Sequence, residues 1–531
     1  MPGPKAETSF ATGEPMPADE FSKVLSAARQ AIESGGLTAA QARQVASLAV
    51  SQFWACYLTD GSYTPDAIRL LCEIVVHADP GIARAGQHTL FTALVEPLSD
   101  AFDPAFCELY DHTFAQIIDC CRRQPTGKAL DDTLRRFGLY SIQDILQRRR
   151  RLEESVVRCQ VSPERARKVF LPSRVTLGAE VAITATLLAR IRNVFHHAQC
   201  VLLAAPAIRQ IFAEDERITI REVRYSRAQG LIEQLGSWLE MLHIIREETE
   251  GLAPDEFLVV DPDSRLTQLG LLPVVEDHSR YLFFPSRSIG EDEPESIGAL
   301  ADRWASQVFG GPARLYPTLS LPHTDRDFAK SLCQHMRNAG ASCLVVMNFG
   351  VGGNLEKRLP EEFEFQLVRR LIENGSTIVL AKGIGEEEIA RSERLLVQLT
   401  SSGEVTRELD TTQTLAVPAS EALRCAVLAW QGQVGTYCAL IENSDEYIGY
   451  DSGGQHIAAA LGTPTIDIFA HSPYPRFMQR WRPYGPGSVC VVDATQSGRA
   501  QLHDLDSTIE QILDCHRAKR RDLPKLIDAA K

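Results

Sequence analysis

From Lys168 onward, short apolar runs of strand length alternate with helical stretches, and the alternation runs through the chain twice. The first block opens with KVFLP, a turn (SRVTLGAE) and the helical VAITATLLARIRNVFHHA. CVLLAAP, ITIREVRY and FLVVDPD follow as strands with helical segments between them. The second block begins after Thr324. DRDFAKSLCQHMRNAG is helical, SCLVVMNFGVGG is a strand entering a glycine loop, and EEFEFQLVRRLIENG is a helix closed by Gly375. STIVLAKG, EEEIARSERLLVQLTSS, EYIGYDSGGQHIAAALG, SVCVVDA and a final DSTIEQILDCHRAKRR continue the pattern. Neighbouring parallel strands need a crossover, so strand–helix–strand spacing predicts parallel sheets. Two such blocks predict an α/β protein with two Rossmann-like halves facing a cleft.

The first part of the chain has a different period. Apolar residues recur at three- and four-residue steps in EFSKVLSAARQAIESGG, LTAAQARQVASLAVSQFWACYL, PDAIRLLCEIVVHA and FCELYDHTFAQIIDCCRR, with no strand pattern among them. The expected organisation is a disordered leader over 1–18, an all-α domain over 19–160, a first Rossmann-like domain for the acceptor over 165–320, and a second for the donor over 321–531. The Pro-punctuated GGPARLYPTLSLPHT marks the linker between the last two.

Charge narrows the function. A net charge of −14 excludes a nucleic-acid binder, which needs a basic face for phosphates. The one basic cluster, Arg148–Arg151, runs into Glu153 and Glu154 and reads as a solvated helix face, with an anionic membrane surface or acidic acceptor as its alternative partner. No apolar run approaches the roughly 18 residues of a membrane span, and the polar N-terminus lacks the apolar core of a secretory signal. The expected location is the cytoplasm, with peripheral contact at the inner membrane as the widest membrane role. Thirteen cysteines with no CxxC pair predict reduced thiols.

Three strand-to-helix turns hold residues that can do chemistry. In open parallel sheets, ligands gather at the carboxyl ends of strands, where unpaired amides and the helix dipole favour anions. At Asp451-Ser452-Gly453-Gly454 the glycines let backbone approach a phosphate, Ser452 adds a hydroxyl, His456 offers a positive charge on the first turn, and Asp451 accepts from a sugar hydroxyl. A plain βα turn capped by Asp or Ser explains the same residues. NFGVGGNLEKRLPEEF fits neither common phosphate-loop pattern, yet Lys357 can reach a pyrophosphate held by the first turn; a solvated lysine is the alternative. In SRVTLGAEVAI, Glu180 stands where a general base for a hydroxyl nucleophile is needed, or it serves only the helix dipole.

Taken in order, these motifs resemble glycosyltransferase family 9, the ADP-heptose:lipopolysaccharide heptosyltransferases. YDSGGQHIAAALGTPTIDIF with the trailing WRPYGP is similar to the family's DTG-x-x-H-x-A-A-A-x-G-x-P block. NFGVGGNLEKRLPEEF, LAKGIGEEEIARSERL, LPSRVTLGAEVAITATLLARIR and FLVVDPDSRLTQLG resemble its other blocks. The resemblance implies a GT-B fold and inverting, metal-independent transfer from a nucleotide-diphosphate sugar such as ADP-heptose, with no other cofactor. It implies that Lys357 contacts the donor diphosphate and that Glu386 meets the ribose, with Glu387 and Glu388 as alternative registers. Ser452, Gly453 and Gly454 would bind phosphate, His456 would support that loop, and Asp451 would contact the sugar. The family's catalytic Asp falls on Glu180, either with Ala179 in the glycine place or with Leu177-Gly178 as the matching pair and one residue inserted. Leu359 stands where the family has Trp. The helical domain lies outside the resemblance and is reminiscent of protein glycosyltransferases of the adhesin or flagellin type, where it would recognise a protein acceptor; lipid-linked and glycan acceptors remain open. A catalytically degenerate GT-B binding or assembly protein is the reading from another class.

Overall fold

A computed structural model describes residues 14–154, 158–225, 230–290, 294–495 and 502–529. Of the expected leader, residues 1–13 lie outside the described residues. Its end is ordered: the Met16 backbone exchanges hydrogen bonds with the Gln52 side chain (2.8 and 3.1 Å), and the first helix starts at Ala18.

Between Ala18 and Glu154 every regular element is helical. Thr38 and Gln41 form a capping box on the helix Ala39–Asp60, which Gly61 ends in the left-handed conformation. The helix Pro80–Leu90, with Asp79 as its cap, continues through a wide π turn at Phe91–Val95 into Glu96–Asp100.

The first sheet contains β1 (Lys168–Pro172), β2 (Gln199–Ala204), β3 (Ile218–Glu222), β4 (Phe257–Asp261) and β5 (Tyr281–Phe283), in the order β3-β2-β1-β4-β5. The second contains β6 (Leu344–Asn348), β7 (Thr377–Ala381), β8 (Thr406–Asp410), β9 (Val427–Gln431), β10 (Glu446–Tyr450), β11 (Thr465–Phe469) and β12 (Val489–Asp493), in the order β12-β11-β10-β6-β7-β9-β8. All pairings are parallel. This is the GT-B plan of two Rossmann-like sheets, preceded by a helical domain. Strands β5, β8 and β9 go beyond the sequence reading. β5 is only three residues long, too short for a run to stand out, and the edge strand β8, TRELD, is polar and half-exposed and carries no apolar signal.

Side-chain alternation gives each sheet two apolar faces. Phe170, Val201, Leu203 and Val259 pack toward the helical domain and the helix Leu231–Glu248. Val169, Leu171, Leu202 and Val260 face the opposite core, which continues into Val346, Val379 and Leu428 of the second sheet.

The structure corrects the reading of the basic cluster. Arg148 and Arg149 are 5% and 2% exposed. Arg148 donates to the Gly270 carbonyl (2.5 Å) and Arg149 to that of Leu269 (3.1 Å), and their guanidinium groups lie over the rings of Tyr281 and Phe283. Only Arg150 and Arg151 stay exposed. Buried guanidinium groups need carbonyls and aromatic faces in place of water; the loop after β4 supplies the carbonyls and β5 the rings. Half of the cluster thus fastens the helical domain to the first sheet and is withdrawn from any membrane or acidic partner. The thiol expectation is corrected at one place: Cys490 in β12 and Cys515 in the last helix form a disulfide. No helix among the described residues is long and apolar enough to cross a membrane.

Candidate active site

Each sheet has one point where adjacent strands send their connections in opposite directions, and a crevice opens there. In the second sheet it lies between β6 and β10; in the first, between β1 and β4. All three turns singled out from the sequence leave these strands.

At the end of β6, Asn348 shapes the glycine loop, its Oδ1 accepting from Gly350 N at 2.8 Å. Gly352 takes a φ of +65° and donates to Glu388 Oε1 at 3.0 Å. The loop closes in a short turn at Leu355–Lys357, which brings Lys357 Nζ within 2.5 Å of Asp451 Oδ2 and 5.0 Å from the Phe477 ring centroid. The strand ends of β6 and β10 thus place Lys357 and the DSGG turn together.

At the end of β10, Ser452 is extended and makes no side-chain cap, and Gly453–Leu461 starts directly after it. The first amides of this helix therefore have no capping side chain and are free to meet an anion. Gln455 Nε2 donates to Asp451 Oδ1 at 2.8 Å, so Asp451 is held from both sides. A Cβ on Gly454 would overlap the hydroxyls of Tyr447 and Tyr437, which accounts for glycine at that position. His456 departs from its expected charge. It is 3% exposed, its ring packs edge-on to Trp481, and burial, with Lys357 nearby, lowers its pKa to about 3. It is a neutral packing residue behind the turn and supplies no positive charge. Asp467 in β11, which the motif reading passed over, is fully buried with both oxygens unpartnered among the described residues. Burial and the charge of Asp451 raise its pKa well above the usual carboxylate value.

The turn after β1 is built differently. Val175 has a φ of +76°, a strained conformation for a β-branched residue. Its N–H is held by Ser173 Oγ (2.9 Å) and Glu180 Oε1 (3.1 Å), and Ser173 Oγ also donates to Glu180 Oε1. Glu180 is 1% exposed, and burial raises its pKa. The carboxylate turns back under Val175, while Leu177, Gly178 and Ala179 line the cleft and Glu180 does not. A Cβ on Gly178 would stand 3.3 Å from His456 Cδ2 and 3.4 Å from Gly453 Cα. The two halves therefore meet at the DSGG turn. Behind this wall Asp263 accepts from Arg287 (3.0 Å) and Ser286 (2.7 Å), and Arg174 donates to the Pro262 carbonyl at 3.2 Å.

One cleft of about 2090 Å³ joins these turns. The wall on the side of the second sheet includes Lys357, Asp451, Ser452, Gly453, Gly454 and His456, together with Glu386, exposed at the start of the helix Glu386–Ser401. Of the three glutamates there, Glu388 binds the glycine loop and Glu387 pairs with Arg358 at 2.5 Å. The remaining wall was not anticipated as part of the site: Ser47, Ser51 and Trp54 of one helix, and Arg84, His88, Thr92, Glu96 and Asp100 of another, all from the helical domain. Among the described residues no group of three or more His, Cys, Asp or Glu side chains is placed to hold a metal ion.

Residues 307–508 match the profile of glycosyltransferase family 9 (heptosyltransferase). The matched segment contains the second sheet together with Lys357, Glu386 and the turn from Asp451 to His456, while the first sheet and the helical domain fall outside it. Among solved structures, a glycosyl transferase family 9 protein from Veillonella parvula is 12% identical with a TM-score of 0.46, over 66% of this chain and 97% of that one. Escherichia coli heptosyltransferase WaaC with ADP is 16% identical with a TM-score of 0.42, over 66% and 99%. TibC from enterotoxigenic E. coli, described as an iron-containing dodecameric glycosyltransferase, is 12% identical with a TM-score of 0.29, over 57% and 58%. No curated protein matches the sequence.

Proposed function

We propose that the protein transfers a sugar from a nucleotide-diphosphate donor to an acceptor hydroxyl, with inversion and without a metal. The observation that carries this reading is the convergence of Lys357 with the uncapped amides of Gly453 and Gly454 at the β6/β10 crevice. In a single in-line displacement, the acceptor oxygen attacks the anomeric carbon, the bond from that carbon to the phosphate oxygen breaks, and the stereochemistry inverts. Negative charge grows on the departing diphosphate, where fixed amides and one cation stabilise it most. Without donor, Lys357 is neutralised by Asp451; an arriving diphosphate competes for the ammonium, and Asp451 keeps its bond from Gln455 and turns toward the sugar. In this reading Glu386 meets the ribose. The helical wall is the acceptor-recognition surface, which favours an acceptor larger than a free sugar and keeps a protein acceptor in view.

Thermal unfolding with ADP, UDP, GDP and their sugars tests the donor half, with ADP-heptose first because the matched family is a heptosyltransferase family. At least one nucleoside diphosphate is expected to raise the melting temperature. Lys357→Ala is expected to weaken that binding about 100-fold, the cost of removing one partner of a charge-assisted contact. A wild-type protein indifferent to all of them would favour the degenerate binding-protein reading.

A further inference from the structure

Resting on the transferase reading, we propose that the general base for the acceptor hydroxyl is Asp100, supplied by the helical domain. Glu180, in the position the motif gives to a base, is closed off beneath Val175 and does not line the cleft. An acceptor hydroxyl must meet a carboxylate that opens into the cleft from the side opposite the donor loops.

The helix running from Pro80 to Asp100 provides it. Arg84, His88, Thr92, Glu96 and Asp100 follow one another at four-residue steps, and all of them line the cleft. Such a row drifts around an α-helix by about 40° per step, and the π turn Phe91–Val95 takes back part of the drift. The row covers about 24 Å at 1.5 Å per residue. Arg84, His88 and Thr92 are exposed, whereas Glu96 and Asp100 are half-buried. The stripe therefore leads inward from solvent and ends at Asp100.

A chain of rings links its inner end to the donor turn. Two residues past Asp100, the Phe102 ring packs edge-on to Trp481, which packs edge-on to His456 of the DSGG helix. Arg476 of the donor half donates to the Phe102 carbonyl at 3.0 Å. Arg265 donates to Ser99 Oγ (2.7 Å), which lies 3.0 Å from both Asp100 Oδ1 and the Glu96 carbonyl and shares its one proton between them. No donor to Oδ2 is present among the described residues. The groups around it are Arg265 from the loop after β4, Tyr474 from the donor half, and Glu96 one turn earlier. In the reaction, Oδ2 accepts the hydroxyl proton as the acceptor oxygen bonds to the anomeric carbon, and the electron pair of the breaking bond leaves with the diphosphate.

The test uses the nucleotide sugar whose diphosphate stabilises the protein most and follows release of that diphosphate, with water as acceptor, from pH 4 to 9. Asp100→Asn is expected to slow release at least 100-fold across that range and to keep the nucleotide-induced melting shift. Glu180→Gln is expected to keep the wild-type profile. Release by Asp100→Asn at the wild-type rate overturns the assignment, as does loss of the melting shift in that variant, since Asp100 would then hold the donor or the fold. If no diphosphate stabilises the wild-type protein, the donor site itself falls, and the base assignment with it.

Discussion

At the ends of β1 and β10 the chain makes the same local structure: a strand stops, a short turn follows, and a helix begins against the cleft. The two turns even touch, Gly178 against Gly453. At β10 the turn leaves its first amides uncapped, neutralises the buried His456, and holds its acid, Asp451, between Lys357 and Gln455. At β1 the acid is spent on the backbone, bracing a left-handed valine. A helix start with an acidic residue thus has two uses that a motif does not separate. Which one applies depends on whether the neighbouring turn is relaxed or strained.

Three substitutions or titrations sharpen that contrast. The largest effect is expected for Gly454→Ala. Its Cβ would press on two tyrosine hydroxyls, one of them on the fully buried Tyr447, and such overpacking costs about 1–3 kcal/mol. Denaturant unfolding should show this loss, together with weaker nucleotide binding; an unchanged midpoint would mean that the tyrosines yield freely. The second test is acid titration. His456 has its pKa lowered to about 3 in the folded protein, so the unfolded chain binds its proton first. The stability it confers is complete above the unfolded value of 6.5 and is lost as pH falls from there toward 3. His456→Gln should flatten this acid limb of the melting temperature. The smallest effect is expected for Glu180→Gln. A raised folded pKa means that the wild-type group favours the fold most below about 4.5 and loses that contribution as pH rises through the folded value. The amide keeps an acceptor for Val175 without a charge to bury, so the variant should lie within about 1 kcal/mol of wild type at pH 5 and equal or exceed it at pH 8. A large loss at pH 8 would show that the charge itself holds the turn.

The sequence made the two-sheet plan legible because buried parallel strands are continuous apolar runs, and KVFLP, LVVMN and EYIGY stand out as such. It also brought Lys357 and the DSGG turn to notice, since glycine and charge at strand ends are local signals. It could not show that Arg148 and Arg149 are buried, because their carbonyl and aromatic partners lie far along the chain, at Leu269, Gly270, Tyr281 and Phe283. The Pro80–Asp100 stripe was hidden for a related reason. A row of polar residues on a helix reads as a solvated face until the fold sets another domain opposite it. Asp467 escaped notice because one acid inside an apolar strand looks like an edge position, whereas β11 lies between β10 and β12.

The apolar face of β1, β2 and β4 that meets the helical domain bears on how the chain can be divided. Phe170, Val201, Leu203 and Val259 share a core with residues from Phe21 to Leu146, so cutting the chain back to its two sheets would leave a sticky, half-clothed layer. The helical domain is thus the inner lining of the first sheet as well as a wall of the cleft. Any exchange of that domain must carry the matching face of the sheet with it.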